Sequence, residues 1–297
     1  MMAPMVWHRA VAGCVGLALV ATLSGCSWHL ETEPEAFRTP TALTVLRDHV
    51  AAAESAVEAA APSSRDPLAV VEANAVPVRL AALGGVSPTS SPRPSGSLAV
   101  ALEGAESAAA ACMDAAGEDP IGGLCASVLL SHLAINAEAK RNDWEMTAYL
   151  AEPPTLPPTD SGLSADALAR LALEHDRLRA LYEVAAARSE GDSRKAALEA
   201  SSAERQRVAD LLAIEGVEDL TEPAYDVPAD ATALRDQNVA IAETYAALMV
   251  SAAPQDRVWL LNSALKAYRS ALANGLAAAQ IPALPGAVQP SPSPSAS

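Results

Sequence analysis

Four side chains in the C-terminal half are the candidates for holding metal ions: Glu174 and His175, then Glu204, then Glu243. Hard divalent ions need carboxylate bridges and imidazoles. A di-metal centre inside four helices takes a Glu from each of two helices and a Glu-x-x-His pair from each of the other two. The chain falls short of that supply. Glu204-Arg-Gln-Arg207 carries Arg where His is required, and Val258 to Gln280 contains no Asp, Glu or His. Glu243 sits two residues from Ile241, off its apolar stripe. No metal and no cofactor are therefore expected. Glu174 is expected to pair with Arg205 or Arg207 across the bundle, and His175 to be a hydrogen-bonded boundary residue.

The remaining chemistry lies with cysteines. Cys112 precedes Gly117-Glu118-Asp119-Pro120 by five residues and Cys125 follows Pro120 by five, with helical patterning on both sides. A helix hairpin with one Cys on each arm brings the Cα atoms within bridging range. A disulfide with a structural role is expected, since the spacing is neither Cys-x-x-Cys nor a metal pattern. There is no Gly-x-Ser-x-Gly, phosphate-cradling Gly loop or His-Glu-x-x-His. No catalytic residue is assigned. His29, His49 and His132 are isolated and read as structural or exposed, and Tyr182, Tyr245 and Tyr268 as core residues with hydroxyls at the edge.

Charge excludes one class of partner. The chain has 20 Lys+Arg against 36 Asp+Glu, a net charge of −16. Nucleic-acid binding needs basic patches, and the few here sit among acids. Acidic surfaces are also repelled by anionic headgroups, so membrane attachment needs another source.

The N-terminus offers that source. Arg9 is the one charge before an apolar run from Ala10 to Leu23, too short to span a bilayer comfortably, and the run ends in Leu23-Ser24-Gly25-Cys26. This resembles the lipobox of bacterial lipoproteins. The resemblance implies that residues 1–25 are a signal peptide, that Cys26 carries a diacylglycerol, and that the protein is lipid-anchored on the extracytoplasmic face of the cell membrane. Two acyl chains give stable anchoring where one does not.

Helix should dominate the chain beyond Cys26, because Ala runs supply the apolar fraction while aromatic and β-branched residues are scarce. Cores of Ala and Leu bring helices close and leave little room for a large ligand. Residues 26–41 read as a tether and 42–150 as an N-terminal helical region containing the cysteine hairpin. Leu43, Leu46, Val50, Ala53 and Val57 mark its first amphipathic helix. Asp66-Pro67 opens a second, which Pro77 should break or kink. Residues 151–163, with four prolines in a short stretch, read as a linker.

From 164 to 286 four more helices are expected, with 287–297 a disordered Pro/Ser tail. Ser164 should cap the first, Asp192 precede the second, Asp230 cap the third and Pro254 open the fourth, with Val258 and Leu276 on its stripe. The connection from about 215 to 230 reaches about 50 Å when extended. A helix of two dozen residues is about 36 Å long, so this connection can cross the whole bundle.

Leu173-Glu174-His175, Glu222 to Pro228, Ala242-Glu243-Thr-Tyr245 and Pro282-Ala-Leu-Pro-Gly286 resemble a family of actinobacterial ferritin-like domains of unknown function. The resemblance covers about 164 to 286 and implies a ferritin-like four-helix bundle with a long crossover. Together these readings point to a non-enzymatic binding or interaction module in the cell envelope, with an envelope protein as a possible partner. The alternative is a di-metal oxidoreductase or metal store with an atypical ligand set.

Overall fold

The computed structural model describes residues 41–60, 67–85, 97–138, 153–226 and 232–287. Cys26, the signal and tether residues before Thr41, Asp66, Asp230 and the tail from 288 lie outside them.

The described residues form eight α-helices, one short 3-10 helix and no strand, so the fold is all-α. In chain order they are α1 (Ala42–Ala60), α2 (Pro67–Ala82), α3 (Leu98–Ala116), α4 (Ile121–Glu138), α5 (Ala165–Arg188), α6 (Gly191–Leu212), α7 (Ala233–Ser251) and α8 (Pro254–Ala273). The 3-10 turn spans Ala278–Gln280.

Helix ends follow local chemistry. Ser164 Oγ accepts from Ala167 N at 3.2 Å, satisfying one orphan donor of α5. Pro254 occupies the first turn of α8, where its missing N–H costs nothing. Asp192 lies inside the first turn of α6 and Thr232 stands at the N-cap of α7. Pro77 does not end α2, which continues past it to Ala82. A proline forfeits one backbone bond, and here the buried Val76 and Leu80 on either side hold the helix together. Val258 is exposed and α8 stops at Ala273, so Leu276 packs from the following turn.

The centre of the molecule is α4. Its sequence, Ile121-Gly-Gly-Leu-Cys-Ala-Ser-Val-Leu-Leu-Ser-His-Leu-Ala-Ile-Asn136, carries apolar residues on every face, and Gly122, Gly123 and Cys125 through Asn136 are all buried. A helix apolar all round must be covered all round. It is: α4 packs against α2 and α3 on one side and against α7 and α8 on the other. The residues from Thr41 onward therefore form one compact unit, and the helices of 42–150 and of 164–286 share one continuous apolar core.

The Pro-rich stretch is docked rather than free over its described part. Trp259 Nε1 donates to Pro154 O at 3.0 Å, and Gly162 N donates to Asp256 Oδ2 at 2.9 Å. Cys112 and Cys125 are bonded, with Cα atoms 5.8 Å apart across the α3–α4 turn. Among the described residues no helix is long and apolar enough to cross a membrane.

Candidate functional site

Leu171, His175 and Leu178 are spaced four and three apart on α5 and so lie on one face. That face is buried, and His175 is 4 % exposed. Across the α5–α6 hairpin, α6 presents Ser201, Glu204, Arg207, Val208 and Leu211 at similar spacing. Tyr245 arrives from α7, one turn after Ile241.

Folding joins three of these side chains. His175 Nδ1 lies 2.6 Å from Glu204 Oε2, and His175 Nε2 lies 2.8 Å from Tyr245 Oη. Burial pushes the imidazole below its ordinary value, as do the charges of Arg207 and Lys266, while Glu204 opposes them. Burial alone would raise the Glu204 carboxyl, but the bond from His175 and the same two cations hold it below the usual carboxylate range. The Tyr245 phenol is pushed up by burial, with Arg207 opposing. These directions fix the proton positions at neutral pH. Glu204 is a carboxylate accepting from His175 Nδ1–H, the ring is neutral, and Tyr245 donates its O–H to Nε2.

Such a chain can orient a phenol and a carboxylate or pass one proton between them. Its members already satisfy one another. Trp259 packs edge-on to Tyr245 with ring centroids 5.4 Å apart and covers it.

The triad lines a cleft of about 150 Å³ enclosed by residues of α5, α6, α7 and α8. Its lining includes the polar Arg207, Lys266, Asn238 and Ser270 and the apolar Leu178, Ile241, Ala203 and Ala267. Glu204 is the one carboxylate among the described lining residues, against two cations.

Two of the four metal candidates, His175 and Glu204, meet. Glu174 does not join them and does not pair with Arg205 or Arg207. It takes Arg177 Nη1 at 3.1 Å and Gln237 Nε2 at 2.7 Å. Glu174 lies seven residues before Leu181, itself at the stripe's edge, so it shares that edge position while its neighbour His175 takes the interior. Arg205 pairs with Glu183 at 2.7 Å instead, and Arg207 turns inward. Glu243 is bonded to the Tyr268 hydroxyl, which burial and that carboxylate push far up. Among the described residues no three His, Cys, Asp or Glu side chains converge as a metal site. The Tyr245 hydroxyl is in the core, not at its edge, because His175 gives it a buried acceptor.

A second buried polar cluster was not anticipated from the sequence. On α2, Glu72 and Arg79 are fully buried and 2.6 Å apart, and Arg79 Nη1 also lies 3.0 Å from His132 Nδ1 of α4. Burial would raise the Glu72 carboxyl, yet Arg79 and His132 bring it down to about 2. Nearby, Asn136 Nδ2 donates to Glu106 Oε1 at 2.7 Å, and burial pushes Glu106 up to about 9.

This cluster grips the segment from Pro282 to Pro285. Arg79 Nε, Ser131 Oγ and Ser127 Oγ donate to the carbonyls of Ala283, Pro282 and Pro285 at 3.3, 3.0 and 2.8 Å. Two prolines in that segment supply no N–H, so its carbonyls need partners from outside. The available signal was the seven-residue spacing of Glu72 and Arg79, which places opposite charges on one face of an otherwise apolar helix.

In comparison with known proteins, no family model, no curated protein and no solved structure matches the chain.

Proposed function

We propose that the protein is a lipid-anchored envelope lipoprotein acting as a non-enzymatic binding module, its last four helices a ferritin-like bundle without a complete metal site. The lipobox-like Leu23-Ser24-Gly25-Cys26 supports the anchor. Support for the bundle comes from two helix hairpins, α5–α6 and α7–α8, packed through α5 and α7 and joined by the long connection from 213 to 232.

One observation carries the non-enzymatic reading. At the level where metal ligands would converge, Glu204 and His175 are spent on each other and on Tyr245, and the rest of the lining includes Arg207, Lys266, Ser263 and Ala267. Guanidinium and ammonium groups at that place repel a divalent ion.

The metal-dependent alternative draws on the His175–Glu204 pair, which has the right donor atoms for one ion. Metal content of the purified full-length protein separates the two. Substoichiometric iron, manganese and zinc is expected, and a stoichiometric pair of ions would promote the oxidoreductase or storage reading. For the anchor, Cys26→Ala should move the protein out of the detergent phase or leave an uncleaved precursor. Detergent partitioning and processing identical to wild type would remove it.

A further inference from the structure

We infer that Glu106 and Asn136 form a proton-operated clasp between α3 and α4, in which a neutral carboxyl donates its O–H to Asn136 Oδ1 while its other oxygen accepts from Nδ2. The clasp is a conformational device, independent of the anchor and of the cleft.

Half of this ring is present in the hydrogen bonding. Asn136 Nδ2 donates to Glu106 Oε1 at 2.7 Å, with Glu106 1 % and Asn136 3 % exposed. The other half follows from an orphan. Asn136 Oδ1 is buried and has no donor among the described residues. An ionised carboxylate has no hydrogen to give it, whereas a carboxylic acid has one. With Glu106 ionised, the contact would bury an uncompensated charge and an unsatisfied amide oxygen together, and each is costly. One proton removes both costs.

The surroundings offer Glu106 no other relief. From α2 come Arg79 and Glu72, already paired with each other at 2.6 Å. From α4 comes His132, one turn before Asn136 and held between those same two residues. On α3 itself Glu103 adds a like charge, and α1 sets His49 against Gly104. Burial pushes the Glu106 carboxyl up to about 9, the bond from Asn136 opposes it, and the charge of Glu72 outweighs that of Arg79.

Position gives the clasp its consequence. The α3–α4 hairpin is tied at its turn end by Cys112–Cys125, and Glu106 and Asn136 lie further from the turn, towards its open end. Loss of the proton therefore frees the open end while the disulfide holds the other. The closed pair keeps the proton and the opened pair releases it, so the opening equilibrium rises about tenfold per pH unit between the ordinary value of 4.5 and about 9.

The test uses the full-length protein in detergent, with carbon-13 at the glutamate Cδ. Magnetic resonance at pH 7 should show a protonated carboxyl signal that is absent from Glu106→Gln, an isostere able to keep both hydrogen bonds without an ionisable proton. Amide exchange of residues 98–106 and 132–138 is then followed from pH 6 to 8. Base catalysis alone gives about a tenfold rise per unit, and the linked opening should make it about a hundredfold. In Glu106→Gln the rise should return to about tenfold. At pH 8 these stretches should also be less protected than the amides flanking Cys112 and Cys125. Should Glu106→Gln fail to fold, Glu106→Met, which keeps the volume and gives up the proton, must remove the same signal and the same steepness. The inference is overturned by the absence of a protonated Cδ signal at pH 7, by its persistence in a folded variant, by a merely tenfold rise in the wild type, or by equal protection along the whole hairpin.

Discussion

Arg79 and Glu72 stand seven residues apart on α2 with Nη1 and Oε2 separated by 2.6 Å, and neither side chain has any exposure to solvent. The pair is the hub from which α2 reaches both His132 on α4 and the Ala283 carbonyl near the chain end. Replacing Arg79 alone leaves a buried carboxylate uncompensated and frees that carbonyl. Arg79→Met should cost about 3 to 5 kcal/mol, measured by urea unfolding. Removing both charges as Glu72→Gln with Arg79→Met should cost clearly less. A single variant within 1 kcal/mol of wild type would show that the pair is not buried in solution.

The same cluster predicts how stability changes with pH. Glu72 is brought down to about 2 in the folded protein, below its ordinary value near 4.5. Its contribution is thus present above pH 4.5 and disappears as the pH falls towards 2. Glu106 has the opposite sign. Its folded value is pushed up to about 9, so the folded protein holds a proton that the unfolded chain releases above pH 4.5. Stability from this group therefore declines as pH rises from 4.5 to 9. Glu106→Gln keeps an acceptor for Asn136 without an ionisable proton. It should raise Tm at pH 8 and flatten the alkaline decline, with little effect at pH 4. Parallel pH profiles for the two proteins would refute this assignment.

What the sequence disclosed were features set by local spacing. The Ser164 cap, Pro254 at the start of α8 and the symmetric placement of Cys112 and Cys125 about a turn all follow from rules reaching only a few residues. His175 and Glu204 were recognisable as chemically interesting, but their meeting with Tyr245 depends on three helices packing together. The Glu72–Arg79–His132 cluster was missed for a related reason. His132 looks isolated within an apolar helix, and its partners come from α2, more than fifty residues earlier. The docking of α4 against α7 and α8 was equally hidden. Its all-round apolarity was visible, whereas the identity of the surfaces covering it is a property of the whole chain.

The Cys112–Cys125 bond closes a loop with a sequence separation of 13. Cross-linking a loop of that length restricts the unfolded chain by about 3 kcal/mol at 25 °C. Replacing both residues, Cys112→Ser with Cys125→Ser, should lower stability by about that amount or more, since both sites are buried against apolar neighbours. Non-reducing peptide mapping checks the bond directly. Alkylation of both thiols in the unreduced protein would contradict it.

Gly123 tests whether α4 truly serves both halves of the core. It lies in the first turn of α4, where helix propensity alone favours Ala over Gly by about 1 kcal/mol. Packing opposes that preference. A Cβ at this position would stand 1.9 Å from Val250 O and 2.8 Å from Val250 Cα, at the C-terminal end of α7. Both are backbone atoms, so relief requires two helices to separate rather than one side chain to turn. Overpacking of this kind costs about 1 to 3 kcal/mol, and contact with a fixed main chain belongs at the upper end. Packing should therefore win, with Gly123→Ala destabilised by about 2 kcal/mol net. For a unit of this size that is a fall in Tm of about 4 to 8 °C. The same separation would loosen the contact between α4 and α7, so amide exchange should quicken at the C-terminal end of α7 as well as in α4. A Gly123→Ala protein as stable as wild type, with α7 exchange unchanged, would show that these helices do not approach so closely and that the two halves fold more independently than one core allows.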